Sequence, residues 1–237
     1  KYWSPSMSSS PSWSPPPWVA ALAERPRRGG ATDRLPGLGR LEQLVLRGDG
    51  LTTTSLEVLT GEQVTARPLQ HWVVAAADDL SGAAGGANPY TGTASLAVAA
   101  ELRRAHDVLE LLPEESLLVR EVLLRGASQV WATSSVSCVL DRLPETVMRT
   151  LSTSEAPIGR TLHEAGVVTS RKLTGWGRRP AGRWANQLAG VRSENELIPG
   201  REYVMTLPLD GRPLGYFVEW FSPALFEAPS DPMGRNR

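Results

Sequence analysis

Apolar and polar positions change period several times along this chain. From Leu38 to Leu46 the spacing is helical, with Leu38, Leu41, Leu44 and Val45 on one side. Arg47-Gly48-Asp49-Gly50 breaks that pattern. The hydroxyls of Thr52, Thr53 and Thr54 then suit the start of a second helix running to Leu59, and Gly61 suits the left-handed residue that closes it. Val64 to Leu69 reads as a strand continuing through His71 to Ala76. A loop follows over residues 78–93, and Ala94 to Leu112 has the composition of a helix. Ser116–Arg125, Val130–Val139, Tyr203–Leu209 and Pro213–Phe221 are predicted strands, the last two joined by a tight Asp210-Gly211 turn. Helices are expected around Leu143–Leu151 and from Pro157, where Ile158, Leu162 and Ala165 share a face. Arg171 to Arg201 is basic and poorly periodic apart from Lys172–Trp176.

Two of these strands carry charge where water should be absent. Leu118, Arg120 and Val122 share one face of their strand, while Val119, Glu121 and Leu123 share the other. Glu219 has Phe217 and Phe221 as same-face neighbours. Removing the water from an ionised group costs several kcal/mol unless a partner or ligand replaces it. Arg120 and Glu219 are therefore the candidate site, a pocket in which Arg120 grips a small anion and Glu219 handles a polar or reacting atom. A guanidinium suits a carboxylate because it forms two parallel N–H···O bonds, which Lys cannot do. Thr133, Ser134, Ser135 and Ser137 lie on the neighbouring strand, where one of them can line the pocket.

Composition narrows the function classes. With 237 residues, 25 basic against 25 acidic, the chain has no net charge and no electrostatic footprint for nucleic acid or an anionic membrane. The single Cys138 excludes an internal disulfide framework and reads as a small buried hydrophobe. No apolar run approaches the ~18–20 residues that span a bilayer, and a secretory signal pattern is missing. A soluble cytoplasmic protein is expected. His71, His106 and His163 lack metal-ligand spacing, so neither metal nor cofactor is expected. Gly-x-Ser-x-Gly, Walker and dinucleotide glycine patterns are also missing. Residues 1–36 are rich in Ser, Pro, Gly and Arg and are expected to be largely disordered, with a short helix at Trp18–Leu22 as an option. A folded domain is expected over 37–226, with a polar tail from 227 to 237.

The order of segments resembles the chorismate pyruvate-lyase family. The resemblance runs from Asp49-Gly50-Leu51-Thr52-Thr53-Thr54-Ser55-Leu56-Glu57 through Arg120-Glu121-Val122-Leu123-Leu124, Trp131-Ala132 and Ala156-Pro157-Ile158-Gly159-Arg160-Thr161-Leu162. It continues at Trp176-Gly177-Arg178-Arg179 and closes at Gly211-Arg212-Pro213-Leu214 and Glu219-x-Phe221-x-Pro223, covering roughly residues 38–226. Each motif alone is weak; their order around two charged positions carries the match.

This resemblance implies an α+β domain: an antiparallel sheet of about six strands, helices packed on one side, and a closed ligand cavity. It implies a carbon–oxygen lyase that eliminates pyruvate from chorismate to give 4-hydroxybenzoate. Arg120 would bind the ring carboxylate, Ile158 would offer its backbone, and Glu219 would meet the ring hydroxyl and take part in catalysis. Arg178 and Arg179, after Trp176-Gly177, read either as partners of the enolpyruvyl carboxylate or as a solvated basic loop. The segment Gly175–Arg201, with Leu51–Leu59, is expected to order over the ligand. The longer 78–112 segment, the insertion at 183–201 and Trp220 depart from the family pattern and bear on pocket size. Two other functions stay open: such a pocket recruited to another carboxylated ring, or a non-catalytic small-molecule sensor, since the same fold serves as effector domain in some transcription regulators. Those carry a basic DNA-binding domain, for which the Ser/Pro-rich start is too short. The expected partner is a small molecule, with no nucleic acid or membrane, and the expected state a monomer or weak homodimer.

Overall fold

The computed structural model of the protein describes residues 38–48, 51–75, 93–154, 156–208 and 210–227. They belong to one compact unit, Gly37–Arg237. The expectations for residues 1–36, for the tail from 228 and for most of the 78–93 loop lie outside the described residues. Five α-helices are described: α1 (Arg40–Arg47), α2 (Thr52–Thr60), α3 (Thr93–Leu109), α4 (Glu145–Thr153) and α5 (Ile158–Glu164). Six strands are described: β1 (Thr65–Ala75), β2 (Ser116–Arg125), β3 (Val130–Val139), β4 (Ser170–Pro180), β5 (Leu197–Thr206) and β6 (Pro213–Phe221).

The strands form one antiparallel sheet in the order β1-β2-β3-β6-β5-β4. The fold is α+β, as expected. Gly61 ends α2 at φ 69°, its N–H bonding to Glu57 O, a conformation that costs a glycine nothing. Gly211 takes φ 70° in the turn between β5 and β6. Both edge strands are poor templates for further pairing. β1 carries Pro68 and a bulge between Pro68 and Gln70, and β4 carries Lys172, a bulge between Leu173 and Gly175, and Pro180.

Helices cover both faces, not one. β2 and β6 bury residues of both parities, so each face needs a cover. Leu117, Val119, Leu123, Tyr216, Val218 and Trp220 meet Val98, Leu102, Ala105 and Leu109 of α3, together with Trp184 and Leu188. On the opposite face Leu118, Val136, Met205 and Phe217 meet Val147 and Leu151 of α4 and Ile158 and Leu162 of α5. Leu124, Ala132 and Phe221 meet Val45 and Leu46 of α1 and Leu56 of α2. The stretch 171–201, expected to be irregular, supplies an edge strand, a short 3-10 turn at Gly182–Trp184 and the first half of β5. Its periodicity is hidden because β4 is exposed on alternate positions and filled with Arg and Lys.

Arg142 fastens the end of α3 to the sheet. Its guanidinium bonds the Glu115 carboxylate through two nitrogens and also donates to Leu109 O, Glu110 O and Pro213 O. Burial opposes ionisation of Glu115, but hydrogen bonds from Arg142 and the Leu112 N–H, with the charges of Arg142 and Arg212, outweigh it and hold the carboxyl below its ordinary value. Its contribution to stability is therefore complete above about pH 4.5 and is lost as pH falls through the lower folded value. Glu115→Gln should flatten the acid limb of the stability curve, measured as urea midpoints from pH 7 down to 3. An acid limb of unchanged steepness in the variant would detach Glu115 from that loss.

Candidate functional site

A cavity of about 470 Å³ lies on the face of the sheet shared with α2, α4 and α5. Strand register sets its floor. Val122, Ser134 and Glu219 stand side by side across β2, β3 and β6, and Arg120, Val136, Phe217 and Tyr203 form the next row across β2, β3, β6 and β5. Leu51–Thr54 and Glu57 of α2 and its approach make one wall. Pro157–Arg160 and His163 at α5 make the other, with Arg171 of β4 beside them. Leu51 packs against Gly159, where a Cβ would lie 3.3 Å from Leu51 Cδ2. The mouth is open at Leu51, Arg160 and His163, all solvent-exposed, where a closed cavity was expected.

Glu219 is 3% exposed and its carboxylate is committed. One oxygen accepts from Thr52 Oγ1 at 2.7 Å and more weakly from Tyr203 O–H at 3.4 Å; the other accepts from Arg201 Nε at 2.6 Å. Arg201 also donates to Val45 O at 2.8 Å, Gly48 O at 2.7 Å and Thr52 Oγ1 at 2.9 Å. It thus closes the C-terminus of α1 and holds the start of α2, where a cation meets unpaired carbonyls and the negative end of the helix dipole. Burial alone would favour neutral Arg201. The charge of Glu219 outweighs it and keeps the guanidinium above its ordinary value. Tyr203 is pushed well above its ordinary value by burial and then by the negative Glu219, so it stays a neutral donor.

Arg120 is 1% exposed and does for α4 what Arg201 does for α1. It donates to Leu151 O and Ser154 O at the helix end, and to Ala156 O at 2.6 Å in the segment leading to α5. Ile158, buried, opens α5 in the cavity wall. Arg178 lies outside the cavity lining. It pairs with Glu42 of α1 at 2.8 Å, and Glu42 in turn accepts the Gly39 N–H. Arg120, Ile158 and Glu219 are therefore brought together, and Arg178 is not. The expected lid is half met in position. Leu51–Glu57 borders the cavity, but β4 and β5 are strands of the sheet, and Trp184 and Leu188 between them pack on the opposite face.

The residue missed by sequence reading is Arg201. It sits in the buried run Ile198–Met205, as Arg120 sits in its own strand, so the same signal was present. Cys138 is buried and its thiol is pushed up to about 12 by desolvation, so it is no nucleophile. Among the described residues no group of His, Cys, Asp and Glu side chains has the arrangement of a metal site, and no helix is long and apolar enough to cross a membrane.

No family model matches the chain, and no curated protein does. Among solved structures it is similar to the ligand-binding domain of a GntR-family transcriptional regulator from Bordetella bronchiseptica, at 15% identity over 68% of this chain and 86% of that one, with a TM-score of 0.44. It is similar to PhnF from Mycobacterium smegmatis, at 12% identity over 75% of this chain and 66% of that one, TM-score 0.49. The effector domain of PhnF gives 11% identity over 75% and 91%, TM-score 0.47. The first of these is titled the ligand-binding domain of a transcriptional regulator and the third an effector domain. The carbon–oxygen lyase expected from the resemblance is corrected on the geometry: the carboxylate expected to move a proton is held by Arg201 and Thr52, and the expected anchor holds helix α4.

Proposed function

We propose that this domain is a non-catalytic binding domain for a small organic anion, with a carboxylated ring as the first class to test. One observation carries the reading: a cavity large enough for such a molecule has a floor whose buried carboxylate is already spent on internal structure. What the cavity offers is shape, apolar surface from Val122, Val136 and Phe217, and an excess of positive charge. Arg120, Arg160 and Arg171 line it against Glu57 and Glu219, and Glu219 is neutralised by Arg201. Such a lining attracts anions. Its floor holds α4 through Arg120 and α2 through the Glu219–Thr52 bond, and Arg201, bound to Glu219 from outside the lining, carries the link on to α1.

Calorimetry and thermal unfolding with benzoate and 4-hydroxybenzoate test this. Saturable binding is expected, with about 2.7 kcal/mol of stabilisation at a ligand concentration a hundredfold above Kd. For a domain of this size that raises Tm by roughly 5–11 °C. Incubation with chorismate should release no pyruvate. Failure of both benzoates to bind would remove the anion reading, and pyruvate release would remove the non-catalytic one.

A further inference from the structure

A second cavity, of about 460 Å³, lies beside the first, between α5, the segment 166–169 and the sheet. The two share five lining residues: Leu51, Gly159, His163, Arg171 and Met205. They are therefore two lobes of one space, with those residues as the border. Local geometry makes the side lobe. α5 stops at Glu164, and Gly166 takes φ 67° while its N–H and that of Val167 bond back to His163 O and Leu162 O. The chain enters β4 only at Ser170, so the residues between stand as a wall.

The lobes differ in chemistry. Arg120, Arg160, Glu57 and Glu219 line the first and do not line the second. Among the described residues the titratable side chains of the side lobe are His163 and Arg171, and both stand on the border. Arg171 is set there with its guanidinium 5.3 Å from the centre of the Tyr203 ring. Beyond the border the wall is Leu162, Val167 and Val168, with Thr169. Val168 is 72% exposed and Leu51 is 42% exposed, so large apolar side chains of this lobe meet water, and covering them is favourable. Charge is held up to the border, and hydrocarbon lies past it.

We propose that the side lobe is a subsite for a hydrocarbon tail, and that the ligand is an amphipathic organic acid. Its anionic head lies in the first lobe, and its tail passes Arg171 and His163 into the second. This rests on the reading of the first lobe as an organic-anion site. Each lobe falls within the roughly 300–1,000 Å³ of small-molecule pockets, so a compact acid such as benzoate uses one of them and an acid with a tail uses both.

Calorimetry on the full chain with benzoate and 4-hexylbenzoate tests this. Each methylene moved out of water strengthens binding about fourfold, so three of them in the side lobe give the hexyl probe an advantage of about fiftyfold or more, at one molecule per chain. Hydrogen exchange should slow at residues 166–171 with the hexyl probe and not with benzoate. Val167→Thr combined with Val168→Asn places polar groups on the wall and should cut the hexyl advantage by about fivefold or more. Val58→Asn, at an exposed position that lines neither lobe, should leave the advantage intact. A hexyl probe that binds no better than benzoate overturns the tail subsite and leaves the anion site standing. So does an advantage that survives the double variant or falls equally in Val58→Asn. Unchanged exchange at 166–171 in wild type overturns it too, and needs no variant that folds. If neither probe binds to wild type, the anion reading falls and takes this proposal with it.

Discussion

Arg201→Ala should lower the stability of the domain by about 3–5 kcal/mol, the usual penalty for stripping one partner from a buried ion pair. In a domain of this size that is a fall in Tm of roughly 6–20 °C. The loss has two parts. Glu219 is left in a buried site with Thr52 as its main donor, and Val45 O, Gly48 O and Thr52 Oγ1 lose the guanidinium that gathers them. Arg201→Lys should recover only part of this, because an ammonium cannot reach a carboxylate, two carbonyls and a hydroxyl in one fork. The double substitution Arg201→Met with Glu219→Leu should be milder than Arg201→Ala, since it removes the stranded charge along with its partner. Urea unfolding of the three variants measures this. A change within 1 kcal/mol of wild type for Arg201→Ala would mean that the pair does not support the fold.

Arg120→Ala should cost about 3–4 kcal/mol. It withdraws donors from the carbonyls of Leu151, Ser154 and Ala156, and each buried carbonyl left unmet costs about 1–3 kcal/mol, less where water reaches it. The damage should be local. Amides of α4 and of the segment before Ile158 should exchange faster, while β2 and β3 keep their protection. Arg120→Lys should restore one of three contacts and about a third of the loss. Hydrogen exchange with urea unfolding separates two roles for this side chain. Unchanged exchange in α4, together with collapse of 4-hydroxybenzoate affinity, would show that the guanidinium serves the ligand and not the helix.

The alternation in Leu118–Leu123 and in Phe217–Phe221 placed Arg120 and Glu219 on apolar faces, and both lie there, on one face of one sheet and in one cavity. Period two within a strand is a local property, so sequence carries it. What a buried charge meets is not local. Arg120 finds carbonyls 31 to 36 residues further on, and Arg201 finds them more than 150 residues back. Nothing in either strand points to those partners. Arg201 and Glu202 also escaped notice because Arg171, Lys172, Arg178, Arg179 and Arg192 lie in the preceding thirty residues or so and make the whole stretch read as a solvated basic loop. Coverage of both faces was readable in principle: β2 and β6 have apolar side chains in both parities, which is the pattern of a strand with no wet side.

Three arginines, Arg120, Arg142 and Arg201, reach from the sheet or its margin to finish the C-termini of α4, α3 and α1. This arrangement fixes an order of events during folding. Helices of eight or nine residues, such as α1 and α4, do not persist in water by themselves, because their nucleation cost exceeds what so few bonds return. Their terminal carbonyls acquire donors only after β2 or β5 is in place. The sheet joins β3 to β6, a pairing that closes a long loop before it yields contacts, while β2–β3 and β5–β6 are short hairpins. Helix completion is therefore tied to strand pairing. These helices do not guide the chain to its topology; they set last, and a chain stalled before strand pairing has neither a cavity nor the walls that would hold a ligand in it.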